Sequence, residues 1–468
     1  MAAAAFSAGC SDHAAPAATT VAPPADPTYA ETFLTAEPQR PGDPAAGYKA
    51  LVNNGYVPCG IPYSAYSQVF GPAPETQRVP GREGRNADLP YNFTSMRAKS
   101  GVEIITSNCL TCHAGSINGA LVVGLGAADG DFTATPAAQT QQAEAVGFLL
   151  SDPAERAEWR KWAERVETVA PYAQLDTRGV NPADSFTAAL FAHHDPKTMA
   201  WSSTPLLPLP AKIVVPVDVP PWWRMKKKAA MFYVGAGRGD HARIMMTASI
   251  LCTDSVEESR AIDAYFPDVR AYISSIEPPR YPFPIDAALA EKGRISFESA
   301  CTRCHGTYGK DGQYPNKLVE LAEVKTDPLL AAGSGQFAKV YVDWFKSSFF
   351  GDIARFEPQE AYVAPPLDGI WATAPFLHNG SIPTIAALLD SKSRPTYWTR
   401  SFVSKDYDPS ALGWQYTTVD HGKDGSASST DKKLYDTTRP GYDNGGHTFG
   451  DALTAGDRLA VIEYLKTL

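Results

Sequence analysis

The chain has 468 residues, 42 Lys and Arg against 51 Asp and Glu, and a formal net charge of −9. Its 44 % hydrophobic and 20 % charged residues are the composition of a globular protein with two or three cores, not of a disordered segment. The acidic balance, with no basic stripe longer than Lys226-Lys227-Lys228, argues against a nucleic-acid partner, and no apolar run approaches the roughly 18 residues of a spanning helix.

Met1 to Gly9 reads as the tail of a truncated or mis-started signal peptide, with a short apolar stretch and no basic start. Ala8-Gly9-Cys10-Ser11 has the form of a bacterial lipoprotein cleavage site, although Ser7 stands where Leu is usual. Cys10 is therefore a candidate lipid anchor, with a secreted protein carrying a spare cysteine as the alternative. Residues 11–45 are rich in Ala, Pro and Thr, so the whole of 1–45 is expected to be signal remnant and unstructured tether.

Cys109-Leu110-Thr111-Cys112-His113 is the first of two Cys-x-x-Cys-His motifs; Cys301-Thr302-Arg303-Cys304-His305 is the second. In c-type haem attachment both thiols add to haem vinyl groups and the adjacent histidine becomes the proximal iron ligand. The two Cys pairs are too far apart for the usual zinc spacings. Two covalent haem c groups are predicted, on Cys109, Cys112 and His113 and on Cys301, Cys304 and His305. Such haem is attached outside the cytoplasm, so a periplasmic, outer-membrane lipoprotein or secreted location is expected. In that oxidising setting Cys59 and Cys252 are candidates for a disulfide, against the alternative of two unrelated buried thiols.

Gly101 precedes Cys109 by the same interval as Gly293 precedes Cys301, with Ile105 and Phe297 midway. The repeat predicts a glycine-notched helix ahead of each motif, as at the start of a cytochrome c domain. Asp152-Pro153 with Glu155 predicts a capped helix whose buried side carries Trp159, Trp162 and Val166. Residues 200–222 and 391–450 read as loops. Thr454 and Asp457 cap a final helix with Leu459, Ile462, Leu465 and Leu468 on its apolar face, crossing a helix at 286–300. The expected fold is mostly α, two cytochrome c-like haem domains with long loops and insertions. The first spans 46–284 and holds the reaction haem. The second spans 285–468 and holds the electron-transfer haem, with a linker at Glu277-Pro278-Pro279-Arg280-Tyr281-Pro282.

The chain has nine histidines and seven methionines, and none of the methionines lies beyond Met246. A His/Met centre, which would raise the potential, is thus not available within the second domain. Its sixth-ligand candidates are His378, His421 and His447. His447 is preferred because Gly445 and Gly446 let the backbone come near a haem face, and His378 is the runner-up as ligand or propionate donor. His13, His193, His194 and His421 read as surface or hydrogen-bonded residues. For the first haem the candidates are Met225, Met231, Met245, Met246 and His241. Gly235-Ala236-Gly237-Arg238-Gly239-Asp240 lacks the third glycine of a dinucleotide fingerprint and reads as a tight turn, with Arg238 available to propionates or a bound ligand. Lys226 to Lys228 either balance propionate charge or form a solvated basic face.

Cys301 to His305, Tyr314-Pro315-Asn316, the run from Ala364-Pro365-Pro366-Leu367-Asp368-Gly369 to Ala374-Pro375, and Phe376-Leu377-His378-Asn379-Gly380-Ser381 together resemble the dihaem cytochrome c peroxidase superfamily. Tyr56-Val57-Pro58-Cys59-Gly60-Ile61-Pro62, the Trp222-to-Asp240 segment and Gly446-His447-Thr448-Phe449-Gly450 are most similar to its rubber oxygenase branch, which includes dihaem fatty-acid dioxygenases. The resemblance implies a dioxygen-binding N-terminal haem that cleaves double bonds and a bis-His C-terminal haem with His447 as second ligand. It implies an inter-haem tryptophan, here Trp222 or Trp223, and an apolar distal pocket to which Phe232 or Tyr233 would belong, beside Arg238, His241 and Met245. It also implies a calcium ion between domains, although no EF-hand loop is present. Three activities stay open: an oxygenase acting with O2 on polyisoprene or a fatty acid, a peroxidase using H2O2, and an electron-transfer cytochrome with a redox partner protein.

Overall fold

Two helix crossings organise the fold, and a glycine makes each possible. The helix Ala287–Ala300 crosses the last helix, Ala455–Leu465, at Gly293. A Cβ there would lie 1.8 Å from the Ala460 carbonyl oxygen, so only glycine lets the two backbones meet. The helix Pro44–Asn53 crosses Phe266–Ser275 in the same way, and a Cβ on Gly47 would lie 1.9 Å from the Asp268 carbonyl oxygen. The computed structural model describes residues 29, 31–210, 213–425 and 431–468, so the signal remnant, His13 and Cys10 lie outside the described residues.

The second crossing corrects an expectation. No helix precedes the first motif at Gly101. Strands Phe93–Arg97 and Glu103–Ser107 pair antiparallel there, and Gly101 turns the hairpin at φ +85°. Ile105 is buried in this hairpin, not one turn along a helix. The counterpart of the Gly293 helix is Pro44–Asn53, separated from its motif by an insertion that hides the repeat. Phe297, by contrast, packs in its helix against Tyr464 as expected, with ring centroids 5.3 Å apart.

The architecture is mixed, not mostly α. Helices are joined by six small sheets of two or three strands. The stretch 391–450, read as loop, holds strands Tyr397–Thr399, Tyr407–Asp408, Gly413–Trp414, Thr417–Thr418 and Leu434–Asp436. Elements of two or three residues are too short to display a two-residue alternation, which is why they escape a periodicity reading. Gly237–Gly239, read as part of a turn, is a strand paired with Ala354–Phe356.

Residues 31–43 are docked, not a tether. Thr32–Phe33 pairs with Lys317–Glu320, Glu37 bridges Arg355 at 2.6 Å, and Arg40 holds Asp240 at 2.9 Å and Asp263 at 2.7 Å. The linker at 277–282 is pinned as well: Pro279 accepts the Trp371 indole N–H at 2.9 Å and Tyr281 donates to the Pro409 carbonyl at 2.9 Å. Trp344, Phe345 and Phe350, from beyond residue 285, pack into one core with Tyr56, Phe191 and Phe266.

The helix Pro153–Val169 is capped by Asp152 as expected. Thr454 caps the last helix and donates to Asp457 at 2.6 Å. Leu459, assigned to its apolar face, is 60 % exposed instead, and Val461 and Tyr464 take its place in the core. Cys59 and Cys252 form a disulfide with Cα atoms 5.7 Å apart, closing a separation of 193 residues. Among the described residues no helix is long and apolar enough to cross a membrane.

Gly293→Ala is expected to destabilise the holoprotein by about 3 kcal/mol, because the added methyl must push apart a closely packed pair of helices. Gly71→Ala, which meets open space, should be near neutral. Urea unfolding of both variants checks this, and equal stabilities would refute the crossing.

Candidate cofactor-binding sites

Each motif forms a single helical turn, Leu110–His113 and Thr302–His305. In the first, the Cys109 amide donates to the Tyr56 hydroxyl at 2.7 Å and the Asn181 amide lies 3.2 Å from the Cys112 sulfur. Burial pushes the Cys109 thiol up to about 11 and the Cys301 thiol to about 12. Thiols so placed are poor thiolate metal ligands. Among the described residues no cluster of three or more His, Cys, Asp or Glu could hold a metal ion, so neither a zinc site nor a carboxylate cage for the expected calcium is formed there. The donor sets suit thioether attachment and axial imidazole.

His113 stacks on Trp222, with ring centroids 4.8 Å apart and planes 21° from parallel. The backbone builds this contact. The Gly124 amide donates to the His113 carbonyl at 2.8 Å, and the Trp222 amide donates to the Gly124 carbonyl at 2.8 Å. Gly126 lets the following strand of chain close in, since a Cβ there would lie 1.8 Å from the Val219 carbonyl oxygen. Burial holds the His113 imidazole down at about 4, so it is neutral with a free lone pair. The Pro220 carbonyl biases its Nδ1 side without reaching hydrogen-bond geometry.

The second motif repeats the device more tightly. His305 Nδ1 lies 2.8 Å from the Pro365 carbonyl oxygen, which fixes the proton on Nδ1 and leaves Nε2 bare. The ring of His447 stands opposite, 6.1 Å between centroids and 53° between planes. Two imidazoles sharing one metal ion, each bond about 2 Å long, place their centroids about 6 Å apart. Burial, with His305 adding to it, pushes His447 down to about 3.

The His447 backbone is built for the position. Gly446 is at φ +68° and His447 itself at φ +44°, a conformation that side chains other than glycine rarely adopt. A Cβ on Gly446 would lie 2.2 Å from the Lys325 carbonyl carbon. Arg394 fastens the segment by donating to the carbonyls of Asn444 at 2.8 Å, Gly446 at 2.7 Å and His447 at 3.0 Å. His378 is placed elsewhere. It stacks on Tyr362 at 4.3 Å, and its Nε2 lies 3.2 Å from the Tyr362 hydroxyl.

The other candidates divide. Trp222 belongs to the first motif. Trp223 turns to the second half of the chain, donating to the Asp368 carbonyl at 2.8 Å. Met245 packs with Cys109, and Phe232 stacks on Phe356 at the edge of the same aromatic core. Tyr233 does not join that group: its hydroxyl meets Asp218 at 3.2 Å and its ring faces His378. Arg238 is paired with Glu37 and Glu357, each 3.5 Å away. His241 is buried with neither ring nitrogen partnered. His193 and His194 are hydrogen-bonded to carbonyls and His421 is exposed beside Asp420. Sequence reasoning missed Pro220, Pro365, Arg394, Asn181 and Tyr56. The doublets Pro220-Pro221 and Pro365-Pro366, one downstream of each motif, were the available signal for the first two.

A family profile described as RoxA-like, cytochrome c-like matches residues 361–399, the segment that carries Pro365 and His378. That likeness implies haem c and a cytochrome-type redox protein. Two relatives in Sinorhizobium fredii, the uncharacterised proteins y4iJ and y4iM, are each 30 % identical over 262 and 239 residues. Each match covers 42 % of this chain, and the chain spans 42 % and 53 % of their lengths.

Arg394→Leu is expected to release the His447 segment: faster hydrogen exchange at the His447 amide, now bonded to Val324 at 2.7 Å, and a loss of about 2–3 kcal/mol in stability. Arg394→Lys should not restore protection, because one ammonium cannot span a fork of carbonyls.

Proposed function

We propose that the chain is an exported dihaem oxidoreductase in which the first motif is the reaction site, the second stores or relays electrons, and dioxygen is used to attack an unsaturated apolar substrate. The observation that carries this reading is the asymmetry of the two histidines: His305 is opposed by a second imidazole, whereas the ring neighbour of His113 is Trp222.

Cys109, Cys112 and His113 would hold one haem; Cys301, Cys304, His305 and His447 would hold the other. When bound, the first would supply oxygen chemistry and the second one-electron storage. The protein's own contribution is positional. The Pro365 carbonyl orients His305, Arg394 sets His447, and Trp222 and Trp223 join the two motifs through adjacent residues. The aromatic core beside Cys109, with Phe191, Trp344, Phe345 and Phe350, is closely packed and keeps water from that side of the first motif. The Cys59–Cys252 disulfide suits an oxidising, exported location.

A peroxide-using enzyme is the second reading, and Asp184 favours it. This carboxyl opens the helix Ala183–Ala192 with an exposed side chain, three residues past Asn181, which touches Cys112, so it is the carboxylate next along the chain from the first motif's contact.

Alkaline pyridine haemochrome analysis should return two haems per chain, falling to one in Cys301→Ser/Cys304→Ser. His447→Ala should abolish the low-spin bis-His signature of one centre, while His378→Ala keeps it; the reverse result would exchange their roles. Oxygen uptake with polyisoprene latex or oleate, catalase present, supports the oxygenase. No uptake from a protein that still binds carbon monoxide at one haem, with turnover of peroxide that Asp184→Asn slows, establishes the second reading.

A further inference from the structure

The Lys226-Lys227-Lys228 run does not act as one face. Lys226 is paired with Glu277 at 2.5 Å and Lys227 with Asp368 at 2.7 Å. Lys228 is half-buried and makes no ion pair among the described residues, and desolvation together with Arg224 pulls its ammonium down to about 8. Two other groups lie on helices packed beside that turn and on each other, Phe266–Ser275 and His241–Met246. Arg270, on the helix Phe266–Ser275, has a buried Nε with no acceptor, and the acidic group that influences it, Asp240, is already held by Arg40 at 2.9 Å. His241 is 3 % exposed with neither ring nitrogen in hydrogen-bond geometry; Arg270 and Lys228 act on it most, with the Ala229 carbonyl and Asp240 in partial opposition.

All three lie against the first motif. Lys228 directly follows the turn whose Trp222 stacks on His113. Met245, one helical turn after His241, packs with Cys109. Val269 and Ile273, flanking Arg270, pack with Leu110 and Ala114. Buried donors without acceptors are rare in native folds, and the Arg270 Nε and the His241 ring nitrogens are such groups. Convergence of an ammonium, a guanidinium and an imidazole at one place calls for an anion with several acceptor oxygens.

We propose that Lys228, His241 and Arg270 form a carboxylate seat beside the first motif. Two sources carry that chemistry: a propionate of the haem bound there, and the headgroup of a fatty-acid substrate. The inference rests on the haem reading of the first motif. The haem count tests that reading separately from the seat.

The test uses the holoprotein and its variants Lys228→Met, Arg270→Met and, as control, Lys226→Met. Pyridine haemochrome counts haem, a substrate-free redox titration follows both centres, and Soret titrations with oleate and with methyl oleate follow binding. A propionate seat predicts that Lys228→Met and Arg270→Met each lower the potential of the first centre alone, because a nearby cation disfavours the ferric state. Lys226→Met should shift nothing, and Lys228→Arg should restore the potential. A substrate seat predicts unchanged potentials and at least about tenfold weaker oleate binding, with methyl oleate unaffected. Two haems per chain with unchanged potentials and unchanged oleate affinity would overturn the seat. A wild-type count showing no haem on the first motif would overturn it together with the reading beneath it.

Discussion

The arrangement depends on one stretch of irregular chain, residues 219–228, threaded between the two motifs. Val219 closes on Gly126, Pro220 backs His113, and Trp222 stacks on the His113 ring. The next residue faces the other way. Trp223 and Arg224 both donate to the Asp368 carbonyl, and Lys227 grips the Asp368 carboxylate. Gly369, at φ +61°, is what admits Trp223, since a Cβ there would lie 2.9 Å from its indole nitrogen. The two tryptophans open a 3₁₀ turn, Trp222–Lys227, in which successive side chains leave the axis about 120° apart, so their rings point in different directions. Two consecutive tryptophans therefore fix the spacing of the two motifs to within a residue, which no loop contact between the halves would do.

A second constraint acts on the histidines. A ligating imidazole must be neutral at Nε2, and the carbonyl of a proline is a suitable means of securing that. The first proline of a Pro-Pro pair is held extended by the second. The carbonyl of Pro365 is thus turned to His305 Nδ1 and defines the tautomer, with burial adding to the preference for the neutral ring. A second doublet, Pro220-Pro221, presents its carbonyl to His113 from beyond hydrogen-bond geometry. The repeat is visible in geometry while its intervals along the chain differ, because each half has received different insertions between motif and doublet.

What could be read from the sequence was what is local. The two motifs, the Asp152 and Thr454 caps and the Gly293 notch are each set by residues within two turns of one another. The unusual backbone at His447 was legible because Gly445 and Gly446 advertise it. The Gly47 crossing was not, because its helix lies far upstream of its motif behind a β-hairpin. Arg394 was not, because a guanidinium that binds carbonyls leaves no pattern in the residues it binds. The strap at 31–43 was misread for a compositional reason: Ala, Pro and Thr dominate the N-terminal segment, while its docking is carried by Glu37, Gln39 and Arg40. The ion pairs of Arg238 with Glu37 on that strap and with Glu357 were not legible either, because both partners lie far along the chain.

The strap also bears on how charge is matched around the two motifs. It runs from the strand beside the second motif, where Glu31 meets the buried Lys317 at 2.8 Å and Arg303 at 2.6 Å, to Asp240 and Asp263 on the far side. In doing so it satisfies Asp240, the carboxylate that acts on Arg270. The guanidiniums it does not reach are used differently. Arg224, which acts on His305, bonds the Asp368 carbonyl and the Thr373 hydroxyl, and Arg394 bonds the carbonyls around His447. A guanidinium spent on backbone carbonyls fixes the chain rather than closing a charge, which is why the segment carrying His447 is rigid without an ion pair.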